Sequence, residues 1–216
     1  MTAKGFLVFL LLFSAFGPAS ARVTIDSDTL TIIERGRLNE FTGNVRIRGD
    51  GFSVDSAKAV SDRQTGIITA SGDVFIKYST DTFNLEGWCS EARIDDERKK
   101  FYLYSDVKTV YAREDGDSAV MYADAAEVEY AAPRRAVYTG SVILETGEVR
   151  VDSERSVYSE ETRSIVFTGS PTAVSRTGDT VSEYSGRVIR VHLDDERISV
   201  EGEARTRVWL ENESQM

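Results

Sequence analysis

Few side chains in this sequence are suited to chemistry, and their spacing argues against most reactions. His192 is the only histidine in 216 residues. It lies in Val191-His192-Leu193, an alternating run that turns it outward, so neither a histidine-rich metal site nor a Ser-His-Asp triad is expected around it. Two acidic clusters, Ile94-Asp95-Asp96-Glu97-Arg98 and Leu193-Asp194-Asp195-Glu196-Arg197, hold the carboxylates that an acid–base pair or a calcium loop would need. Both fall at turns, carry a compensating arginine, and lack the glycine and ligand spacing of an EF-hand. They read as solvated hairpin tips. Cys89 stands alone, which rules out an intrachain disulfide and leaves a small core residue or an intermolecular pair. The densest aromatic stretch, Phe101, Tyr102, Tyr104 and Tyr111, has the composition of a sugar platform, but aromatics are ordinary strand residues and packing is the simpler reading. Phosphate loops and nucleophile elbows are missing from the sequence. The expectation is therefore a protein with no catalytic residue, no metal and no cofactor, and not an enzyme.

With chemistry set aside, the bulk properties narrow the class. Lys4 followed by the apolar run Phe6 to Phe16 and by Ala19-Ser20-Ala21 has the form of a cleavable signal peptide over residues 1–21. The apolar run is shorter than the roughly 20 residues a membrane helix needs; retention as an anchor is the alternative. Cleavage would start the mature protein at Arg22 and remove one positive charge, taking the net charge from −10 to −11. Such an acidic chain is a poor ligand for nucleic acid or for anionic headgroups. Export with a single cysteine fits a bacterial periplasm better than a disulfide-rich secreted fold.

The most informative pattern is a repeated phrase: an apolar residue, a spacer, a glycine, a spacer, an apolar residue. It occurs as Phe41-Thr42-Gly43-Asn44-Val45, Ala70-Ser71-Gly72-Asp73-Val74, Tyr138-Thr139-Gly140-Ser141-Val142, Phe167-Thr168-Gly169-Ser170-Pro171 and Val200-Glu201-Gly202-Glu203-Ala204. Leu103-Tyr104-Ser105-Asp106-Val107 is a copy with serine in the glycine place. Successive intervals are 29, 33, 35, 29 and 33 residues, so positions 43, 72 and 105 recur 97 residues later at 140, 169 and 202. A three-unit block used twice explains this, giving halves of about 22–137 and 138–210 before a polar tail, 211–216. No proline- or serine-rich linker separates the halves, so continuous stacking is expected.

Within each unit the hydrophobic period is two, as half-buried strands require. Val45, Ile47, Phe52 and Val54 alternate with Arg46, Arg48, Ser53 and Asp55; Val142, Leu144, Val149 and Val151 do the same in the fourth unit. A glycine inside a strand marks a bulge or tight corner, and six corners at similar spacing bend a sheet into a V or roll. One unit cannot close a core alone, so the fold class is all-β: a twisted roll of stacked antiparallel strands with an apolar interior and a charged exterior. The interior positions, candidates for a ligand groove as well as a core, are Val45, Ile47, Phe52, Val54, Val74, Ile76, Phe83, Leu85, Val142, Leu144, Val149 and Val151.

Phe41-Thr42-Gly43-Asn44-Val45 running to Phe52-Ser53-Val54-Asp55-Ser56-Ala57-Lys58-Ala59, the Thr65-Gly66 turn, and the reopening at Gly72-Asp73-Val74 resemble the OstA-like (LptA) family. The match is close over residues 22–110 and looser to 210. Ser105, Pro171 and the polar tail depart from the family pattern. The resemblance implies an elongated, V-shaped β-jellyroll, open at both ends, whose groove holds acyl chains. It implies a periplasmic carrier or bridge that moves lipopolysaccharide or a similar glycolipid from the inner to the outer membrane. It also implies head-to-tail stacking with copies of itself and with related jellyrolls of the inner-membrane complex (LptC-like) and the outer-membrane translocon (LptD-like). The alternatives are an LptC-like component anchored by its N-terminal segment, a lipid-free structural solenoid, and a polysaccharide-active β-helix enzyme.

Overall fold

The computed structural model describes residues 23–80, 83–112, 118–193 and 197–210, with the backbone alone for Phe83. The expected signal peptide, the polar tail and the acidic part of the second Asp-Asp-Glu-Arg cluster lie outside the described residues. Sixteen strands form one antiparallel sheet: β1 (Thr24–Asp26), β2 (Thr29–Ile33), β3 (Leu38–Gly49), β4 (Phe52–Asp62), β5 (Ile67–Thr80), β6 (Phe83–Asp95), β7 (Lys100–Ala112) and β8 (Ser118–Glu129), then β9 (Arg135–Glu145), β10 (Val149–Ser159), β11 (Ser164–Thr168), β12 (Thr172–Thr177), β13 (Thr180–Ser185), β14 (Val188–His192), β15 (Ile198–Glu201) and β16 (Arg205–Leu210). From β3 to β10 each strand pairs with the next in sequence, and the hydrogen-bonded path runs unbroken across the middle of the chain.

The repeated glycine explains the shape. Gly72 (φ +81°) and Asp73 (φ +48°) are two consecutive left-handed residues inside β5. Together they oppose only Ala57 on β4, so the register shifts by one residue there. This is a bulge, and it sharply bends the strand that carries it. The same pair of left-handed residues recurs at Gly43-Asn44, Ser105-Asp106, Gly140-Ser141, Gly169-Ser170 and Gly202-Glu203. The corners line up from strand to strand, so the whole sheet folds along one crease into two arms.

At the first four corners the chain continues as one long bent strand, whereas Gly169 and Gly202 fall between separate strands. In these places the bend divides one rung into two. β1 and β2 pair with the two halves of β3, and β11 and β12 with the two halves of β10; β13 with β14 and β15 with β16 continue the arrangement. Counting these four pairs as single bent strands reduces sixteen strands to 16 − 4 = 12 rungs. Stacked at about 4.8 Å per rung, they extend over roughly 50–55 Å. The sheet does not close; β1 and β2 form one edge and β15 and β16 the other.

The corners also explain why serine is tolerated once. A Cβ built on Gly72 would lie 2.9 Å from the Cβ of Ala57, in addition to the cost of its left-handed backbone. Ser105 already carries a Cβ at φ +62°. Gly72→Ala is therefore expected to destabilise the protein by about 1–3 kcal/mol. Ser105→Gly should leave stability unchanged or raise it by up to about 1 kcal/mol. Urea titration of both variants checks the pair; equal losses would show that the corner does not depend on the left-handed conformation.

Candidate functional site: the space between the arms

Strand register can be followed across all twelve rungs. On the front arm one inward row runs Ile25, Ile47, Val54, Ile76, Gly87, Thr109, Met121, Leu144, Val151, Ala173, Tyr184 and Thr206. On the back arm the matching row runs Leu30, Phe41, Ala59, Ala70, Ala92, Leu103, Ala126, Tyr138, Ser156, Phe167, Ile189 and Val200. The two rows face each other. The Thr109 hydroxyl lies 2.9 Å from the Tyr138 hydroxyl across the gap, and Phe52 meets Phe101 edge-on with ring centroids 5.2 Å apart. The result is an apolar interior that runs from one free edge to the other.

Ten of the twelve sequence-predicted groove residues are buried in this interior: Val45, Ile47, Phe52, Val54, Val74, Ile76, Leu85, Val142, Leu144 and Val151. Val149 is half-buried against the same core, and the Phe83 side chain lies outside the described residues. All of them belong to the front arm. The back arm was missed, although its signal was present: the residue two before each corner, Phe41, Ala70, Leu103, Tyr138, Phe167 and Val200, supplies every second position of the back row. Periodicity taken forward from each glycine reaches one arm; the other lies behind the glycine.

The pattern of the LptA/(LptD N-terminal domain) LPS transport protein family matches residues 24–197. The chain belongs to this family. A search of curated proteins returns no relative. Among solved structures, the chain aligns with LptH, the LptA homologous periplasmic component of the lipopolysaccharide transport device from Pseudomonas aeruginosa. Identity is 7%, coverage is 89% of this chain and 99% of that one, and the TM-score is 0.39.

This LptA-family sheet is pinned shut along its mouth, the side opposite the crease. Tyr78 on the front arm donates its hydroxyl to the Tyr130 carbonyl at 2.8 Å, and the Tyr78 and Tyr130 rings lie 5.8 Å apart. Tyr130 also stacks on Phe101 at 4.6 Å and touches Phe52 at 5.6 Å. Arg134, in the same turn as Tyr130, places its guanidinium 5.9 Å from the centre of the Tyr78 ring and pairs with Glu160. Further along, Tyr111 meets Tyr138 by their hydroxyls and Tyr158 ring to ring at 6.2 Å. Between these contacts remains a cleft of only about 10 Å³, lined by Tyr78, Leu85, Tyr111, Tyr130, Arg134 and Tyr158 among others. That is room for about one water. The interior is filled by the protein's own side chains.

Several other sequence expectations can be placed. Alternation splits the aromatic stretch: Phe101 and Tyr111 point inward, while Tyr102 and Tyr104 lie half-buried on the outer face, with Arg93 over Tyr104 at 5.4 Å. They form no common platform. His192 lies on the face opposite Val191, its Nε2 3.4 Å from the Ser199 hydroxyl. Among the described residues no group of three His, Cys, Asp or Glu side chains is arranged to hold a metal, and no helix is long and apolar enough to cross a membrane.

The first Asp-Asp-Glu-Arg cluster does sit at a hairpin tip, but not as a solvated one. Asp95 is only 6% exposed and accepts from the Arg98 backbone N–H at 3.0 Å and its guanidinium at 3.1 Å. Asp96 accepts from the Lys99 ammonium at 2.7 Å and from the Tyr130 hydroxyl at 2.8 Å. The tip therefore holds the mouth tyrosine in place, a role carried by a residue 34 positions away and so outside any local pattern.

Two predictions follow from this interior. Tyr78→Phe removes a buried donor and leaves the Tyr130 carbonyl without it, so it should cost about 1–2 kcal/mol in urea denaturation. The second concerns alkali. Burial pushes the Cys89 thiol from about 9 up to about 11, and burial raises Tyr138 and Tyr130 too, the latter helped by the carboxylate of Asp96. Because the neutral thiol is favoured in the folded state, its contribution is complete below pH 9 and is lost as pH rises through 11. Stability should fall from pH 8 to 10.5, with about 1–2 kcal/mol of that loss missing in Cys89→Ala. Denaturant titrations at the two pH values measure it; identical pH slopes would refute the assignment to Cys89.

Proposed function

We propose that this protein is a periplasmic carrier or bridge that moves lipopolysaccharide, or a glycolipid like it, between the inner and outer membranes. It does so by holding acyl chains between the arms and stacking end to end with related jellyrolls. The observation that supports this reading is the pair of facing inward rows, twelve rungs long, running from one open edge to the other. Each acyl CH₂ moved from water to such a surface contributes about 0.8 kcal/mol. The phosphates and sugars stay in solvent, so the acidic exterior does not oppose binding. Since the interior is already filled, loading requires the arms to spread about the crease, and the mouth contacts of Tyr78, Tyr130 and Arg134 must give way. The reaction is transfer without covalent chemistry: the lipid's hydrocarbon replaces contacts that the arms make with each other. The partners of this reading are the glycolipid, the inner-membrane (LptC-like) and outer-membrane (LptD-like) jellyrolls, and further copies of the chain. Family membership in an LPS transport group supports it independently.

Photo-crosslinking residues placed at Leu144 on the front row, at Phe167 on the back row and at Arg46 on the outer face test it in cells. Glycolipid adducts at the two inward sites and none at Arg46 are expected. Adducts at neither inward site, with end-to-end assemblies still forming, would instead favour a lipid-free scaffold. An N-terminus at Arg22 in the soluble periplasmic fraction is expected as well; an uncleaved, membrane-bound chain would favour the anchored, LptC-like alternative.

A further inference from the structure

The two lips of the mouth differ in charge. On the back arm, four of the six repeats place a cation six residues before the corner: Arg37, Lys99, Arg134 and Arg163. Each stands in a hairpin turn, directly ahead of β3, β7, β9 or β11. The turns are tied in a row, because the carbonyl of each of these residues accepts from the backbone of the next turn. The donors are Arg63, Tyr130, Glu160 and Leu193, at 2.9–3.0 Å. Neighbouring turns are two rungs apart, about 10 Å. The described turns of the front arm are Asp50-Gly51, Thr146-Gly147-Glu148 and Gly178-Asp179, and each holds a carboxylate and no cation.

Arg37 pairs with Glu34 at 3.2 Å, Lys99 with Asp96 at 2.7 Å and Arg134 with Glu160 at 2.5 Å, so an anion binds at this lip by exchange. Arg134 differs from the others in reach. Arg37 and Lys99 pair within their own turns, three residues away. Arg134 pairs with the next turn and also crosses the mouth. It donates to the Thr80 hydroxyl on β5 at 3.4 Å, and its guanidinium carbon lies 5.9 Å from the centre of the Tyr78 ring. It is therefore a lip cation and a mouth contact at once. Giving up the guanidinium costs Glu160 little, because that carboxylate keeps the Arg134 backbone N–H at 2.6 Å and is 34% exposed to water.

We infer that Arg134 binds a phosphate of the glycolipid headgroup, and that taking up this phosphate draws its guanidinium off Tyr78 and Thr80 and so releases the mouth. This rests on the carrier reading above and adds where the head is held and what frees the arms. A phosphate monoester carries nearly twice the charge of a carboxylate and fits the guanidinium fork with two parallel bonds, so it displaces Glu160. Lys99 and Arg163, in the turns on either side, raise the local positive potential, while the carboxylates of the front lip repel an anion. The ligand is a lipid head and not a free anion because Arg134 also lines the apolar cleft with Leu85, Tyr111 and Tyr158. Hydrocarbon attached to a phosphate held at Arg134 starts at that cleft, and its burial there favours the exchange.

Spin labels at Ser79→Cys on the front lip and Ala131→Cys on the back lip, in a full-length Cys89→Ala chain, report the width of the mouth. Lipopolysaccharide should lengthen the distance between the labels at a concentration roughly 5- to 20-fold lower than the same lipopolysaccharide stripped of its phosphates. Arg134→Gln should bring the two midpoints within about twofold of each other. Arg134→Lys, which keeps the charge without the fork, should fall between. Glu160→Gln removes the competing carboxylate and should widen the ratio, which keeps the test valid where Arg134→Gln does not fold. Inorganic phosphate alone should leave the distance unchanged; opening by it assigns the site to a free anion and overturns the inference. Equal midpoints for the two lipids in the parent chain, or an undiminished ratio in Arg134→Gln, overturn it as well. So does a mouth that neither lipid opens. Glycolipid labelling at Leu144 and Phe167 separates these failures from failure of the carrier reading: where those adducts persist, only the role of Arg134 falls.

Discussion

Everything in this molecule depends on one constraint: a sheet can bend without losing its ladder only where one strand holds an extra residue. Here that residue is accommodated by two consecutive left-handed positions, and it recurs in every second rung at the same distance from the mouth. A bulge at one place would kink one strand. Six in line crease the sheet and set its apolar faces against each other. Gly72 against Ala57 and Gly140 against Asp124 show why the position is nearly always glycine: the neighbouring rung's side chain lies over it. Burial, the shared interior and the two unlike edges all descend from that alignment.

The two sides of the crease are held by different physics. Near the corners the arms are close, and small or branched side chains such as Val45, Val74, Ala123 and Val142 fill the gap. At the mouth the arms are farther from the covalent bend, and large aromatics with polar tips reach across. Tyrosine suits this position because its ring covers apolar surface while its hydroxyl finds a carbonyl or carboxylate. Tyr78 and Tyr130 use this in both directions, one reaching the other's backbone and the other reaching Asp96. Hydrophobic contact is non-directional and tolerates a change of neighbour; these hydrogen bonds are directional and fix the geometry of the closed mouth.

Much of this was legible in the sequence because it is periodic. The apolar-x-Gly-x-apolar phrase revealed the stacked strands, their corners and the front-arm interior from Val45 to Val151. Its first residue marks the back arm, through Phe41, Leu103 and Phe167, but only when the period is extended backward as well as forward. What could not be read is non-local. Tyr78 and Tyr130 are 52 residues apart, and nothing near either announces the other. The acidic tip at Asp95-Asp96 looked solvated because charge usually is; its burial comes from a turn 34 residues further on. The filled interior is likewise a property of two arms together, while alternation describes one strand at a time.

The direction of the ladder has a mechanical side. In this sheet the backbone hydrogen bonds lie along the long axis, and the covalent strands run across it. A pull applied between the two ends therefore loads the rungs in series, so that each parts from the next like the teeth of a zip and the weakest pairing sets the limit. A force that spreads the arms meets the covalent chain at every corner and is shared by all twelve rungs in parallel. The molecule is thus soft to stretching along its axis and strong at its crease.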